Sequence, residues 1–358
     1  VEFGCFFNSS ASSWKFARRA EELGYTNAWF YDTPMLNAEL FASMGAAAVN
    51  TSRIRLGTGV LIPSNRIDPV AAAGLATLNA MAPGRIDFGI GTGFTSRQTL
   101  GQSALPMARM EEYIRVVRAL LRGELVEWTA EGSPHKIKFL NPEIGLINIE
   151  DEIPLYISAF GPKMRQLVAK LGANVICTAE DVAGLTAMHK AWTEAGRDLT
   201  QLRTVMIAGG AVVREGEPFD SLRVKAQAGP LAAMVFHNEL EKESMAHGGS
   251  SGGAAPGGFP PQFMPQLEAY RLMYANYEPK DARYLTNHRG HLLFLKAEEE
   301  PHITADAIQT LSFSGTKPEL VNRVRQLRDR GLTQLGVETR HGHEIAMLED
   351  WADVFASV

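Results

Sequence analysis

Two segments of the chain nearly repeat: RIRLGTG from Arg53 and RIDFGIG from Arg85 share the pattern R-I-x-x-G-x-G at an offset of 32 residues. That offset holds one strand plus one crossover helix, the unit from which parallel sheets are wound. The unit then recurs along the chain. Strand-like runs stand at EFGCFF, NAWFYD, RIRLGTGVLI, RIDFGIG, PLYISA, ANVICT, LRTVMIAGGAVV and LTQLGVET, eight in all. Between them lie stretches of helical period, among them SWKFARRAEELG, PVAAAGLATLNAM, MEEYIRVVRALLRG, GPKMRQLVAKLG and PELVNRVRQLRDRG. Gly24, Gly123, Gly172, Gly196 and Gly331 fall where a helix calls for a left-handed C-terminal residue. Eight strands alternating with helices predict an α/β fold, a (β/α)8 TIM barrel occupying residues 1–358 as one domain. With 358 residues, 45% of them hydrophobic, the chain can bury such a core.

Two stretches break the alternation. Residues 124–153 read as an excursion after the fourth helix, with a possible hairpin. Residues 215–310, between strands seven and eight, are too long for one crossover and contain a Gly/Ser/Pro-rich loop at 246–262. An insertion that follows a strand C-terminus sits over the barrel mouth, so this one reads as a lid region, its glycine tract either part of the lid or a disordered surface loop.

The composition narrows the partners. A formal net charge of −5 gives no basic footprint for nucleic acid or an anionic membrane. No apolar run approaches the roughly 20 residues that span a bilayer. Cys5 and Cys177 both lie inside apolar runs, which reads as two buried thiols in a reducing, cytoplasmic compartment. His288 with His291, and His341 with His343, lack metal-ligand spacing, and no metal site is expected. A small-molecule substrate is the class that remains.

Glycine at alternate positions of a strand needs a reason, because it leaves nothing to pack. Gly57 and Gly59 share one face of strand three, and Gly89, Gly91 and Gly93 share one face of strand four. If those faces point inward, two neighbouring strands are bare near their C-terminal ends, and a flat ring system could lie against the wall. A dinucleotide fingerprint fits poorly: Phe94, Thr95 and Ser96 follow Gly93, and no glycine stands at the third position.

The stretch SRIRLGTGVLIPSNRIDPVAAAGLATLNAMAPGRIDFGIGTGF resembles the signature region of the luciferase-like flavin oxidoreductases, relatives of bacterial luciferase, alkanesulfonate monooxygenase and deazaflavin-dependent methylenetetrahydromethanopterin reductase. AEELGYTNAWFYD, IPLYISAFGPKMRQLVAKLGANVI and FSGTKPELVNRVRQLRDRGLTQLGV match in the same order and cover nearly the whole chain outside the two insertions. The resemblance implies flavin mononucleotide (FMN) or the deazaflavin coenzyme F420 at the C-terminal end of the barrel, in a homodimer or homotetramer. It places cofactor contacts at Asp32, Gly57, Thr58, Gly59, Val60, Gly91, Thr92, Gly93, Thr95, Ser158, Gly161, Pro162, Lys163 and Thr178. It also implies a bulge with a non-prolyl cis peptide in strand three, at Gly57 to Val60.

The remaining candidates come from residue chemistry. Asp32, closing WFYD at the end of strand two, could bond a ring or act as acid or base; the alternative is a helix N-cap. Arg97 could bind an anion through its guanidinium fork, or merely pair with a surface carboxylate. The junction at Ser158, Gly161, Pro162 and Lys163 offers free N–H groups and a helix dipole to a phosphate. Thr316 and Glu319 read as a capping arrangement. Of His237, His288 and His291 on the long insertion, any could reach substrate as acid or base, and His291 is taken as the candidate.

Together these features predict a monooxygenase that uses reduced FMN, delivered by a separate NAD(P)H:flavin reductase, with oxygen and a small organic substrate. The alternatives are an F420-dependent reductase or dehydrogenase and a non-catalytic flavin-binding protein. Deazaflavin relatives commonly place histidine directly after the aspartate of strand two. This chain has Thr33 there, which counts against deazaflavin use.

Overall fold

The computed structural model describes residues 1–179, 181–245 and 258–358. Eight parallel strands close into a barrel: β1 Glu2–Phe7, β2 Asn27–Phe30, β3 Arg55–Thr58, β4 Ile86–Ile90, β5 Leu155–Ser158, β6 Asn174–Thr178, β7 Thr204–Gly209 and β8 Gln334–Glu338. Each pairs with its sequence neighbours, and β8 closes on β1. The outer ring is α1 Ser13–Glu22, α2 Leu40–Asn50, α3 Asp68–Met81, α4 Met107–Leu121, α5 Pro162–Leu171, α6 Val182–Glu194, α7 Lys317–Asp329 and α8 Glu344–Phe355. The fold is the predicted TIM barrel.

Helix boundaries follow the capping chemistry. Gly172 ends α5 at φ 63°, where a side chain would meet its own carbonyl. Thr316 and Glu319 form a reciprocal capping box at the start of α7.

Both interruptions are real elements. Val126–Ala130 and Ser133–Ile137 pair as an antiparallel hairpin. The insertion between β7 and β8 carries the helices Leu222–Met245, Met264–Asn276, Arg283–His288 and Ala305–Leu311. It has a small core of its own around Phe236, Phe263, Tyr270 and Ile308. Of the glycine-rich loop 246–262, residues 246–257 lie outside the described residues. Strand seven is shorter than LRTVMIAGGAVV suggests. It ends at Gly209, and Val212–Val213 pairs with Gly315–Thr316 in a separate two-stranded sheet. Gly210 permits the departure, because a Cβ there would stand 2.5 Å from the Phe313 carbonyl carbon.

Inward-facing side chains form layers, since alternate residues of each strand point to the axis. At the N-terminal end Asn27 donates to Asp87 (2.9 Å), and Arg55 pairs with the same carboxylate (2.7 Å). Gln334 donates to Asn27 (2.7 Å) and accepts from the Trp29 indole (3.0 Å). Phe6, Trp29, Tyr156, Ile176 and Val205 pack above this polar floor.

The glycine faces do point at this interior, but the room they leave is already taken. A Cβ on Gly57 would stand 2.3 Å from the Trp29 ring, and one on Gly59 would stand 2.8 Å from the Trp29 Cβ and 3.1 Å from Phe6. A Cβ on Gly89 would stand 2.1 Å from the Thr58 carbonyl oxygen, and one on Gly91 would stand 2.8 Å from the Val60 side chain. The expected smooth hollow along β3 and β4 is therefore absent at these positions. The physical reason is size complementarity: an indole and a phenyl from β2 and β1 need small residues opposite them to close the barrel at interior density.

The β3 edge is bulged as expected. Gly57 pairs with Asp87 and Leu61 bridges to Ile90, so four steps along β3 match three along β4. Within that bulge the Gly59–Val60 peptide is cis.

Candidate active site

The C-terminal ends of the strands are where the barrel wall opens. Tyr31 after β2, Val60 after β3, Thr92 after β4, Ser158 on β5, Thr178 on β6 and Ile207 on β7 are half-buried, whereas the residues one layer down are buried. Tyr31, Val60 and Ile207 pack directly on the Phe6–Trp29 layer. The mouth thus has an apolar base and a rim of hydroxyls at Thr92, Ser158 and Thr178.

Asp32 sits at this level but does not face the opening as a free acid. It is buried, accepts from the Ile62 N–H (3.0 Å) and pairs with Arg66 (2.8 Å), which also bonds Glu39. Neither an N-cap nor a free acid, its carboxylate ties the loop after β3 to the end of β2. Thr58 is also committed, its buried hydroxyl donating to the Gly89 carbonyl (2.6 Å).

Arg97 is half-buried on the short helix Phe94–Gln98, and its Nε donates to the Ser103 carbonyl. No carboxylate pairs with it among the described residues. Gly93 turns the chain into that helix at φ 79°. Gly161, Pro162 and Lys163 open α5 with Gly161 as N-cap. A Cβ on Gly161 would meet nothing within 4 Å, and Lys163 is exposed, so the helix N-terminus stands clear.

The roof comes from the insertion and brings three buried histidines together. His291 stands with its ring 5.2 Å from His288 and 6.3 Å from His237. His237 Nε2 lies 2.5 Å from the Glu299 carboxylate, which also pairs with Lys296 (3.0 Å). His288 Nε2 lies 2.5 Å from Glu241, which accepts from Asn287 (2.9 Å). Among the described residues no carboxylate pairs with His291; its Nε2 makes a long contact to the Thr95 hydroxyl (3.4 Å). Two residues chosen from the sequence, Thr95 and His291, thus meet across 196 positions.

Burial pushes His291 well below the ordinary histidine range, reinforced by the charges of His288, His237, Arg340 and Lys296. His237 is lowered by burial too, with Glu299 opposing the shift. Burial alone would raise Glu299, but His237 and Lys296 outweigh it and hold that carboxyl below its usual value. His291 is accordingly a neutral imidazole.

Sequence reading missed three mouth residues. The Tyr31 hydroxyl donates to Glu338 (2.6 Å), and Glu338 pairs with the fully buried Arg340 (2.8 Å). Gly209 gives this pair its space, since a Cβ there would stand 2.7 Å from the Glu338 carboxylate. The signal was present: Asn27, Trp29 and Tyr31, like Gln334, Gly336, Glu338 and Arg340, are alternate residues on one face. Several buried polar atoms here have no hydrogen-bond partner among the described residues, including His291 Nδ1, Arg340 Nε and both side-chain ends of Gln98. No group of three or more His, Cys, Asp or Glu among the described residues is placed to hold a metal ion, and none of their helices is long and apolar enough to cross a membrane.

Comparison with known proteins gives three findings. The family model for luciferase-like monooxygenases matches residues 11–334. The chain is 31% identical over 166 residues to 5,10-methylenetetrahydromethanopterin reductase of Methanolobus tindarius, covering 46% of this chain and 49% of the relative. It is 33% identical over 150 residues to F420-dependent glucose-6-phosphate dehydrogenase of Beutenbergia cavernae, covering 38% and 41%. The chain thus spans about half the length of the curated relatives it matches, or somewhat less. In fold it is similar to the coenzyme F420 dependent tetrahydromethanopterin reductase of Methanopyrus kandleri, with a TM-score of 0.70 over 98% of this chain and 97% of that one, at 19% identity.

Proposed function

The chain belongs to the luciferase-like monooxygenase family, and on that premise we propose that it is an oxidoreductase moving hydride between the deazaflavin coenzyme F420 and an organic substrate at the barrel mouth. One observation carries the reading: a buried, neutral imidazole, His291, reaches the rim through Thr95 under a roof of helices. A group of that kind can take up a proton as hydride leaves a carbon, in a site from which water is kept. The similarity to relatives named F420-dependent supports the choice of coenzyme. His291 also brings an imidazole to the mouth from the insertion, which answers the objection raised by Thr33.

The residues present fit such a coenzyme. The clear N-terminus of α5, with Gly161 unobstructed and Lys163 beside it, suits a phosphate. Ser158 and Thr178 offer hydroxyls, and Tyr31, Val60 and Ile207 offer a flat apolar base for a ring. The bound deazaflavin would supply hydride acceptance and donation. The protein's part is to hold the ring edge near the roof, keep the pocket dry and exchange the proton.

A monooxygenase using reduced FMN is the second reading, favoured by Thr33. Titration of the purified chain with F420 and with FMN separates the two. Tight binding of F420 with anaerobic turnover is the expected result. Binding of FMN alone, with oxygen uptake during turnover, would replace the first reading by the second.

A further inference from the structure

We propose that the N-terminal end of the barrel is a second binding site, separate from the mouth, for a small organic monoanion. Its carboxylate would be held by Arg203, and an oxygen further along the molecule would accept from the Tyr156 hydroxyl. The inference does not rest on the coenzyme reading, and either can fail without the other.

Room and position come first. A cavity of about 510 Å³ opens where the strands begin, a size ordinary for pockets that take small molecules. Tyr25, Ile54 and Pro154 give it an apolar wall, and a Cβ on Gly24, which also lines it, would meet nothing within 4 Å. The buried layer of Phe6, Trp29, Tyr156, Ile176 and Val205 lies between this cavity and the mouth. Tyr156 belongs to both: its ring meets Trp29 edge-on with centroids 5.0 Å apart, and the same residue lines the cavity below.

The chemistry of the ligand follows from which wall groups are already spent. Asp87 accepts from Asn27 and Arg55, and Arg55 uses all three of its nitrogens on Asp87 and on the Gly84 and Ile86 carbonyls. Glu21 accepts from the N–H groups of Ser52, Arg53 and Ile54. The Tyr25 hydroxyl donates to Leu348, and that of Thr26 to Phe3. The groups left over are mostly donors. Arg203 pairs with Glu2 through Nη2, and its Nε and Nη1 make no hydrogen bond among the described residues. Arg53 is exposed and makes one long side-chain contact, to the Glu21 carbonyl (3.5 Å). Tyr156 is only 2% exposed, and its hydroxyl makes no hydrogen bond among the described residues. Burial pushes the Tyr156 phenol above the usual tyrosine range; Asp87 adds to the shift, and Arg203 and Arg55 oppose it. The hydroxyl is therefore a neutral donor, and the charges that act on it, Asp87, Arg203, Arg55 and Glu2, all line this cavity. A sheltered donor without an acceptor favours a molecule that brings one. The open side of the Arg203 guanidinium suits the two oxygens of a carboxylate. Three arginines and three carboxylates line the cavity, so its formal charge is zero. Glu2 and Asp87 stand against a second negative charge on the ligand, which limits it to one.

The test titrates the full chain with 4-oxopentanoate, a monoanion carrying a ketone, and follows binding by NMR at millimolar concentrations. Its amide, which lacks the charge, and 4-oxoheptanedioate, which has a second one, are the comparisons. The monoanion should bind saturably and about tenfold more tightly than either, the worth of one charge-assisted pair. Tyr156→Phe should weaken it about threefold to tenfold, as expected for one hydrogen bond. The same change should leave urea unfolding unaltered, because the hydroxyl bonds nothing within the chain. Arg203→Gln should weaken it about tenfold. One tyrosine ring carbon signal should move on titration and be missing in Tyr156→Phe, a readout that needs no activity. Equal binding of the amide, or tighter binding of the dianion, overturns the ligand class. Binding that neither variant weakens, or that FMN or F420 displaces, puts the probe elsewhere and overturns the site. No saturable binding of any of the three probes overturns the proposal outright. A chain that takes 4-oxopentanoate in this way and neither coenzyme would overturn the coenzyme reading alone.

Discussion

The two ends of the barrel are built from similar residue types and do opposite things with them. At the N-terminal end Asn27, Asp87, Gln334, Arg55 and the Trp29 indole bond one another into a closed network, with every side-chain acceptor and donor of Asn27, Asp87 and Gln334 engaged. At the C-terminal end His291 Nδ1, Arg340 Nε and Gln98 are buried with bonds unmade. A cavity of about 510 Å³ opens at the satisfied end, lined by Glu2, Tyr25, Arg55, Asp87 and Arg203 among others. That cavity is walled in part by Asn27, Arg55 and Asp87, whose hydrogen bonds are met. Unfinished hydrogen bonding, and not this cavity, distinguishes the candidate site.

Asp87→Ala should produce the largest effect and bears on the floor alone. It removes the carboxylate shared by Arg55 and Asn27, although Arg55 keeps the Gly84 and Ile86 carbonyls, and should cost about 3 kcal/mol in urea unfolding, the lower end for breaking a buried pair because Arg55 is partly exposed. Activity of the molecules that remain folded should persist. A stable Asp87→Ala protein without activity would reverse the assignment of the two ends.

Gly57→Ala comes next. The added methyl would meet the Trp29 ring at 2.3 Å, and overpacking of this kind costs about 1–3 kcal/mol. Thermal melts should show the loss while F420 affinity is retained. A loss of coenzyme binding without a loss of stability would mean that a bound ring, and not Trp29, uses the glycine.

A pH test sharpens the contrast further. In the unfolded chain His291 and His237 take up protons near pH 6.5, whereas in the folded chain both are held below that value. Between the folded and unfolded values the unfolded state carries more protons, so stability rises with pH and is lost as the solution is acidified below about 6.5. Each group contributes up to about 1.4 kcal/mol per pH unit in that window. The drop in Tm from pH 7.5 to 5.5 should therefore be smaller in His291→Gln. An equal drop would show that His291 is not held neutral.

Tyr31→Phe is the mildest change. It removes the hydrogen bond to Glu338 at the rim and should cost about 1–2 kcal/mol of stability at most, given a charged acceptor and a half-exposed donor. Its effect on KM should exceed its effect on unfolding, as a mouth residue requires.

The barrel itself was legible because it is written locally. Every strand run, the hairpin, the capping box of α7 and the glycine ends of the helices depend on residues within a dozen positions of each other. The site was only half legible. Alternation told that Gly57 and Gly59 face inward, but nothing local told that Trp29 would fill the space beside them. Asp32 reads as a free acid until Arg66, 34 positions on, arrives to neutralise it. Glu338 and Arg340 lay on the right face of β8 and were passed over because strand-end charge there has no motif. Three histidines looked alike in sequence; only their partners, Glu299 and Glu241 for two and Thr95 for the third, distinguish them.

The insertion leaves and rejoins the barrel at one spot. Phe313 N–H bonds the Gly209 carbonyl (2.8 Å), the Ala211 N–H bonds Ser314 (2.9 Å), and Val212–Val213 lies alongside Gly315–Thr316. A segment clasped at its base places little demand on the frame that carries it, because lengthening or exchanging it adds only a small, logarithmic closure cost. The segment that carries the three histidines is therefore a cassette: on the proposed reading, a different sequence hung from the same clasp would give the same wound cylinder a different appetite.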